Sequence, residues 1–314
     1  MRVDVWKPWY VYRPHQLLRR VAGMLVRPES EYTPVRAAWG LDLLANPVEH
    51  LGRSLYTTGI YDLAVSEVIF RLVCSGDFFV DAGANIGYMT LLGAVAAGPN
   101  GRAMAFEPHP KLFPVLKKNV ERASRAILMA PVELRPTALG AERRTATLVL
   151  PNGDAENDGL AFIPRADRPS QLEDPSVSIS METLDEIIHE QTVGVLKIDV
   201  EGYECPLLQG AIHAVHAHRI RHVVFEDHQG ADSAAALLLK KAGYTLFSIG
   251  WSMPGPLLAE SRPGQSLAAR YEAPSYLATA EPDEAIRVCG LRGWRVLRRQ
   301  TRKLTMLSAS RDLA

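Results

Sequence analysis

The residues with the clearest chemical potential lie in a short glycine-containing run, residues 80–90, that reads VDAGANIGYMT. Asp81 precedes Gly83 and Gly87, and glycine lets backbone approach a ligand closely because it lacks a Cβ. Glu107 follows 20 residues after Gly87, where an acidic side chain can accept hydrogen bonds from both ribose hydroxyls of an adenosine. This spacing predicts a site for an adenosine-containing cofactor.

The order of residues in this run separates two common cofactors. A dinucleotide-binding loop reads G-x-G-x-x-G and places a pyrophosphate on a helix N-terminus. Here the carboxylate of Asp81 precedes the first glycine; it would repel a pyrophosphate but suits the amino group of a methionine moiety. We therefore expect S-adenosylmethionine. An NAD-dependent oxidoreductase is the disfavoured alternative, because neither G-x-G-x-x-G nor a Tyr-x-x-x-Lys run occurs.

A second group of polar residues follows two later strands. Asp199 and Glu201 end the run LKIDVEG, and Glu226 and His228 end the run VVFEDH. Carboxyl ends of parallel strands face the ligand crevice of an open α/β sheet. We expect Asp199 to act as a base or to bind the acceptor; the structural alternative is that it caps the next helix or holds the turn at Gly202.

More than one role is open for Glu226 and His228. His228 can take up a proton near neutral pH, or it is an ordinary loop residue. Asp199 and Glu226 could instead share a divalent cation, but no third ligand is evident, so no metal site is predicted.

The elements that must position these residues alternate between short apolar runs and longer amphipathic ones. This alternation is typical of βαβ units and a parallel sheet, here of about seven strands with helices on both faces. The run VELRPTAL is predicted as one strand, and the polar loop over residues 152–173 is expected to be functional. We divide the chain into an N-terminal helical cap (1–60), a cofactor-binding domain (61–282) and a basic C-terminal extension (283–314).

Composition limits the classes of partner. Lys plus Arg and Asp plus Glu each number 35, so the net charge of zero argues against a general nucleic-acid binder. The 3 cysteines show no disulfide or zinc-binding pattern, and no apolar run is long enough to span a bilayer. We expect a cytoplasmic protein with a small-molecule acceptor and a possible homodimer.

Four stretches together resemble the FkbM family of S-adenosylmethionine-dependent methyltransferases. They are VDAGANIGYMTLL, FEPHPKLFPVLKKNV, METLDEI and LKIDVEGYECPLLQGA, and the resemblance extends over roughly residues 55–250. It implies a class I methyltransferase fold, Rossmann-like, with a seven-stranded, mostly parallel sheet whose last strand is antiparallel. It also implies O-methylation of a sugar or of a polyketide- or peptide-like natural product.

The resemblance also assigns residues. The cofactor-binding set is Asp81, Ala82, Gly83, Asn85, Ile86, Gly87, Tyr88, Glu107, Pro108, Ala138, Leu139 and Asp199. From position in the chain, the acceptor set is Tyr61, Asn157, Asp158 and Glu201, and the catalytic set is Asp199, Glu226 and His228. N-directed or RNA-directed methylation and a cofactor-binding scaffold without turnover stay open as alternatives.

Overall fold

The computed structural model describes residues 7–12, 31–150, 158–165, 168, 174–261, 267 and 274–298. Its helices in chain order are α1 Pro8–Val11, α2 His50–Thr58, α3 Leu63–Leu72, α4 Tyr88–Ala97, α5 Leu112–Ala126, α6 Leu184–Ile188, α7 Glu204–Gln209, α8 Ile212–His216, α9 Ala234–Lys241 and α10 Pro282–Cys289. Its strands are β1 Thr33–Arg36, β2 Asp42–Ala45, β3 Phe78–Ala82, β4 Arg102–Phe106, β5 Val132–Arg135, β6 Thr137–Leu139, β7 Arg144–Val149, β8 Ser176–Glu182, β9 Val193–Ile198, β10 Ile220–Glu226, β11 Thr245–Ser252, β12 Gly255–Glu260 and β13 Ser275–Thr279.

One large sheet organises the chain, with its strands in the order β12-β11-β13-β10-β9-β3-β4-β5. Five neighbouring strands of this sheet, β10, β9, β3, β4 and β5, are parallel, whereas β13 runs antiparallel to both β10 and β11. A last antiparallel strand inserted beside the fifth is the class I methyltransferase arrangement, so the predicted fold class is confirmed. Strand β12 pairs antiparallel with β11 and adds an eighth, edge strand to the predicted seven.

The sheet is covered on both faces because alternate residues of its central strands enter different cores. Phe79 packs with α3, α4 and α5 in one cluster, while Phe78 and Val80 pack with α6 to α9 in another. All five residues of β3 and all six of β9 are buried. Strands buried on both faces are expected to be continuously apolar, so the charged Asp81 and Lys197 at these positions require partners.

A small second sheet corrects one predicted strand. The run predicted as a single strand is divided at Pro136 into β5, in the main sheet, and β6, in a three-stranded sheet ordered β6-β8-β7. Proline lacks the N–H needed to continue a ladder. The division sends Ala138 and Leu139 away from the main sheet and towards the site described below.

The flanking segments differ from a purely helical cap. The stretch before residue 60 contains the hairpin β1–β2 as well as α1 and α2. Within the described part of the chain, no helix is both long and apolar enough to cross a membrane. The domain boundaries drawn from sequence stay predictions.

Candidate active site

The loop between β3 and α4 is shaped by residues with positive φ. Gly83, Asn85 and Gly87 have φ values of 75°, 52° and 91°. A Cβ on Gly83 would lie 1.8 Å from the backbone oxygen of Asp199. The loop therefore passes directly against the end of β9, and only glycine allows that approach.

Glu107, at the end of β4, fixes this loop. One oxygen of its carboxyl group, Oε2, accepts a hydrogen bond from the backbone N–H of Asn85 at 2.7 Å, and Oε1 accepts one from the N–H of His109 at 2.9 Å. The side chain is buried, and burial raises its pKa from 4.5 to about 7, although both hydrogen bonds oppose that rise.

A buried ionic chain joins the glycine loop to β9. Lys197 Nζ lies 3.2 Å from Asp81 Oδ1 and 3.5 Å from Asp199 Oδ2, and it donates a hydrogen bond to the carbonyl oxygen of Gly83 at 2.7 Å. Thr90 donates to Asp81 at 2.6 Å. Burial raises the pKa of Asp81, whereas for Lys197 the two carboxylates outweigh burial and raise the pKa. Lys197 therefore has the partners that a buried charge requires.

The carboxylates at the ends of β9 and β10 converge. Glu201 adopts φ 52° and Gly202 φ 90°, so the chain bends after β9 and turns Glu201 to the same side as Asp199. Burial, followed by repulsion from Asp199, raises the pKa of Glu201 to about 7 and that of Glu226 to about 8. His228 Nε2 lies 3.4 Å from Glu226 Oε1, and the His228 side chain is 70% exposed.

Asp199 neither caps helix α7 nor holds the turn at Gly202, which was the structural alternative. Helix α7 begins after Tyr203 without a side-chain cap. The N–H of Gly202 is bonded to Glu204 Oε1 at 2.9 Å instead. The side chain of Asp199 therefore faces the cavity and Lys197 rather than holding the turn.

These groups line one cavity of about 480 Å³, within the range of about 300–1,000 Å³ for small-molecule sites. The predicted site residues on its wall are Tyr61, Ala82, Gly83, Asn85, Tyr88, Glu107, Pro108, Ala138, Leu139, Asp199, Glu201, Glu226 and His228. Three predicted cofactor residues, Asp81, Ile86 and Gly87, are not on the wall. Asp81 is buried behind the wall, Ile86 is buried, and Gly87 lies against Leu116. Asn157 lies outside the described residues, and Asp158 starts the short 3₁₀ turn Asp158–Leu160.

Several wall residues were missed by sequence reasoning. Asp62, Trp9 and Trp251 line the cavity, and the two indole rings lie 5.9 Å apart. Asp62 follows Tyr61 directly, so its place beside a predicted acceptor residue was a usable signal. The meeting of Trp9 with Trp251, 242 positions apart in the sequence, had no local signal.

Among the described residues, no group of three or more His, Cys, Asp or Glu side chains could hold a metal ion. The pair Asp199 and Glu226 thus lacks a third ligand in that part of the chain. The ionisable side chains on the described cavity wall are carboxyl groups, one lysine, tyrosines and histidines.

The comparisons with known proteins agree with this arrangement. The model of the methyltransferase FkbM domain matches residues 81–246, which is more than half of the chain. The protein therefore belongs to the FkbM methyltransferase family. A curated protein named methyltransferase 1, from Beauveria bassiana strain ARSEF 2860, is 27% identical over 227 residues, or 64% of this chain and 85% of that protein.

Two solved structures are also similar. The methyltransferase FkbM from Methylobacillus flagellatus KT is 17% identical with a TM-score of 0.38, covering 64% of this chain and 43% of that chain. A SAM-dependent O-methyltransferase from Thermotoga maritima is 14% identical with a TM-score of 0.41, covering 79% and 77%. The chain thus spans less than half the length of the first structure.

Proposed function

We propose that this protein is an S-adenosylmethionine-dependent O-methyltransferase acting on a hydroxyl group of a small molecule, either a sugar or a polyketide- or peptide-like natural product. The observation that carries this proposal is that Asp199, Glu201 and Glu226 converge in the same cavity as the glycine loop and Glu107. The first group suits a hydroxyl that must lose a proton, and the second suits an adenosine.

The cavity residues fit this cofactor. Lys197 is the one lysine or arginine among the described residues of the cavity wall, and it is already paired with two carboxylates. A pyrophosphate would therefore find no available cation, whereas a sulfonium and an ammonium suit the acidic wall.

In this account Glu107 holds the ribose, and Ala138 and Leu139 border the adenine. The loop residues Gly83 and Asn85 line the methionine part. Bound there, S-adenosylmethionine supplies an electrophilic methyl group on a positively charged sulfur.

The chain's own contribution begins with Asp199. Lys197 holds this carboxylate at the mouth of the buried ionic chain, where it can orient the acceptor hydroxyl and accept its proton. A positioned base typically contributes about 10²–10⁴-fold to a rate. Orientation of the acceptor oxygen supplies much of the remainder, because methyl transfer is an in-line displacement.

Glu226 and His228 provide a path for that proton to leave the cavity. Glu226 lies among the carboxylates, and its partner His228 projects into solvent. A proton received near Asp199 can pass to Glu226 and then to the exposed His228, from which it reaches water.

Calorimetric titration tests the cofactor assignment. We expect micromolar binding of S-adenosylmethionine and S-adenosylhomocysteine, no binding of NAD, and at least about a tenfold loss of affinity in Glu107→Ala, or about 1.4 kcal/mol. Glu107→Gln is tested beside it, because it retains one of the two acceptor oxygens that order the loop.

The matched control is Glu133→Ala, which removes an exposed carboxylate of the neighbouring strand β5 outside the cavity wall. We expect it to bind as the wild type does. Tight NAD binding, or absence of binding by both methionine-derived ligands, would overturn the proposal.

A further inference from the structure

A small recess adjoins the main cavity. It has a volume of about 20 Å³, and the polar residues that it shares with the cavity wall include Tyr61, Asp62, Asp199, Glu226 and Lys197. About 10–15 Å³ is enough for one water molecule. The recess therefore has room for a single small polar group, such as an ammonium group.

The recess is acidic on three sides. Asp62 comes from the start of α3, Asp199 from the end of β9 and Glu226 from the end of β10. Repulsion from Asp199, Asp62 and Glu201 adds to burial in raising the pKa of Glu226. Lys197 also lines the recess, but its ammonium group is engaged by Asp81, Asp199 and the carbonyl oxygen of Gly83.

Among the described residues around the cavity, carboxyl groups outnumber lysine and arginine side chains. The cavity and its buried support hold six carboxyl groups: Asp62, Asp81, Glu107, Asp199, Glu201 and Glu226. Among the described residues, Lys197 lies beside Asp81 and Asp199, Arg168 lies 3.8 Å from Glu201, and Arg165 donates to the carbonyl oxygen of Gly202. S-adenosylmethionine brings one net positive charge, and each of these carboxyl groups that ionises adds a negative charge that attracts a cationic acceptor.

An aromatic ring completes the recess. The Tyr61 ring lies edge-on to Tyr88 with a centroid separation of 6.2 Å, and within the described chain its hydroxyl group forms no hydrogen bond. Burial and then the surrounding carboxylates raise the pKa of Tyr61, so it stays a neutral phenol. A phenol offers both a hydrogen-bond acceptor and a π face to a cation.

We propose that the methyl acceptor carries an ammonium group close to its reacting hydroxyl, as amino sugars and amine-bearing natural products do, and that Asp62, Glu226 and Tyr61 bind that ammonium in the recess. This inference rests on the proposed function and narrows its substrate class. It assigns Asp62 to acceptor selection and leaves proton removal to Asp199.

The variant that isolates this role is Asp62→Asn. Asp62 caps α3 by accepting a hydrogen bond from the N–H of Val65 at 3.1 Å, and its φ is 38°. Asparagine keeps a side-chain oxygen for the cap and tolerates this conformation. Asp232→Asn is the matched control, because it removes an equal charge from an exposed residue outside the cavity.

The probes are D-glucosamine, D-galactosamine and kanamycin A, each paired with its N-acetylated form. They are titrated by calorimetry at pH 7 into protein saturated with S-adenosylhomocysteine. In at least one pair we expect the amine to bind about tenfold more tightly than its neutral partner. Asp62→Asn should abolish that preference without changing S-adenosylhomocysteine affinity, and Asp232→Asn should leave both unchanged.

Three outcomes of the titrations with the acceptor probes would overturn the inference. They are equal or absent binding by both members of every pair, a preference for the N-acetylated forms, and a loss of S-adenosylhomocysteine affinity in Asp62→Asn with amine binding intact. The last would place the cofactor's own ammonium in the recess. Binding of S-adenosylhomocysteine with methylation of a neutral hydroxyl would uphold the proposed function while refuting this inference, whereas no S-adenosylhomocysteine binding would refute both.

Discussion

Glu226 is the residue whose ionisation bears most directly on turnover. Burial and repulsion from neighbouring carboxylates raise its pKa to about 8, so a large share of this group is protonated at neutral pH. Both proton transfer to Glu226 and attraction of a cationic acceptor need the ionised form.

We therefore predict that kcat/KM rises with pH through an apparent pKa near 8. Glu226→Gln should lower kcat/KM and remove this rise, because the titrating group is gone. Glu260→Gln, an exposed change on β12, is the control and should keep the wild-type profile. An unchanged rise in Glu226→Gln would assign the titration to another group.

For single residues, the sequence predicts which side chains belong to the site better than it predicts where they face. Gly83 and Glu107 were assigned from spacing, and both lie on the cavity wall. Asp81 was expected on that wall but lies fully buried behind it, bound to Thr90 and Lys197. Spacing along a strand does not tell which side chains face a ligand and which support them from behind.

Helix α3 connects the site to the C-terminal part of the described chain. Its N-terminus presents Tyr61 and Asp62 to the cavity. In its middle, Glu67 accepts from Arg71 Nε at 2.6 Å and from the backbone N–H groups of Arg295 and Val296 at 3.0 Å each. Arg71 donates in turn to the carbonyl groups of Val288, Cys289, Leu291 and Gly293.

Breaking this buried network should destabilise the protein strongly. Both side chains of the pair are 0% exposed, and removing one partner leaves the other charge uncompensated. We predict that Glu67→Gln lowers the free energy of unfolding by about 3–5 kcal/mol, measured by urea denaturation. The control is Glu284→Gln, which breaks an exposed pair with Arg287 and should change nothing measurable. Equal effects in the two variants would contradict this account.

The same elements show what a local pattern can predict. Short apolar runs predict strands such as β3 and β9, and the structure contains both. The Glu67–Arg71 pair has the spacing of an ordinary exposed helix pair. Tertiary packing buries every residue of α3, and this burial makes the Glu67–Arg71 pair important for stability.

The burial of carboxyl groups in the cavity has a consequence for the stability of the whole molecule. Glu107, Glu201 and Glu226 have pKa values of about 7, 7 and 8, above their ordinary 4.5. A carboxyl group with a raised folded-state pKa contributes stability that is full below about 4.5 and lost as pH rises through that raised value. His222 acts oppositely: burial lowers its pKa from 6.5 to about 4, so its contribution is lost as pH falls below 6.5.

We therefore predict that the Tm of the ligand-free protein falls between pH 6.5 and about 8.5, because Glu107, Glu201 and Glu226 ionise across this range. Thermal denaturation across this range checks the prediction. Glu226→Gln should reduce the fall, and Glu260→Gln should not. A Tm that rises over the same interval would show that these carboxyl groups are not destabilised by folding.

The overall topology could be foreseen, but the enclosure of the site could not. Alternating apolar and amphipathic runs predict a parallel sheet with its functional residues at one edge. The cavity, however, is completed by Trp9 near one end of the chain, Trp251 on β11 and Leu139 on the small sheet. These residues meet only through packing between segments distant in sequence, for which no periodicity is a guide.

The central claim is methyl transfer to oxygen in this cavity, and one experiment tests it most directly. The protein is incubated with S-adenosylmethionine carrying a trideuterated methyl group and with the acceptor panel, and products are analysed by mass spectrometry and NMR. The account predicts a labelled methyl on a hydroxyl oxygen, with transfer lost in Asp199→Asn and retained in Asp232→Asn. A labelled methyl on nitrogen, or transfer that persists in Asp199→Asn, would contradict it.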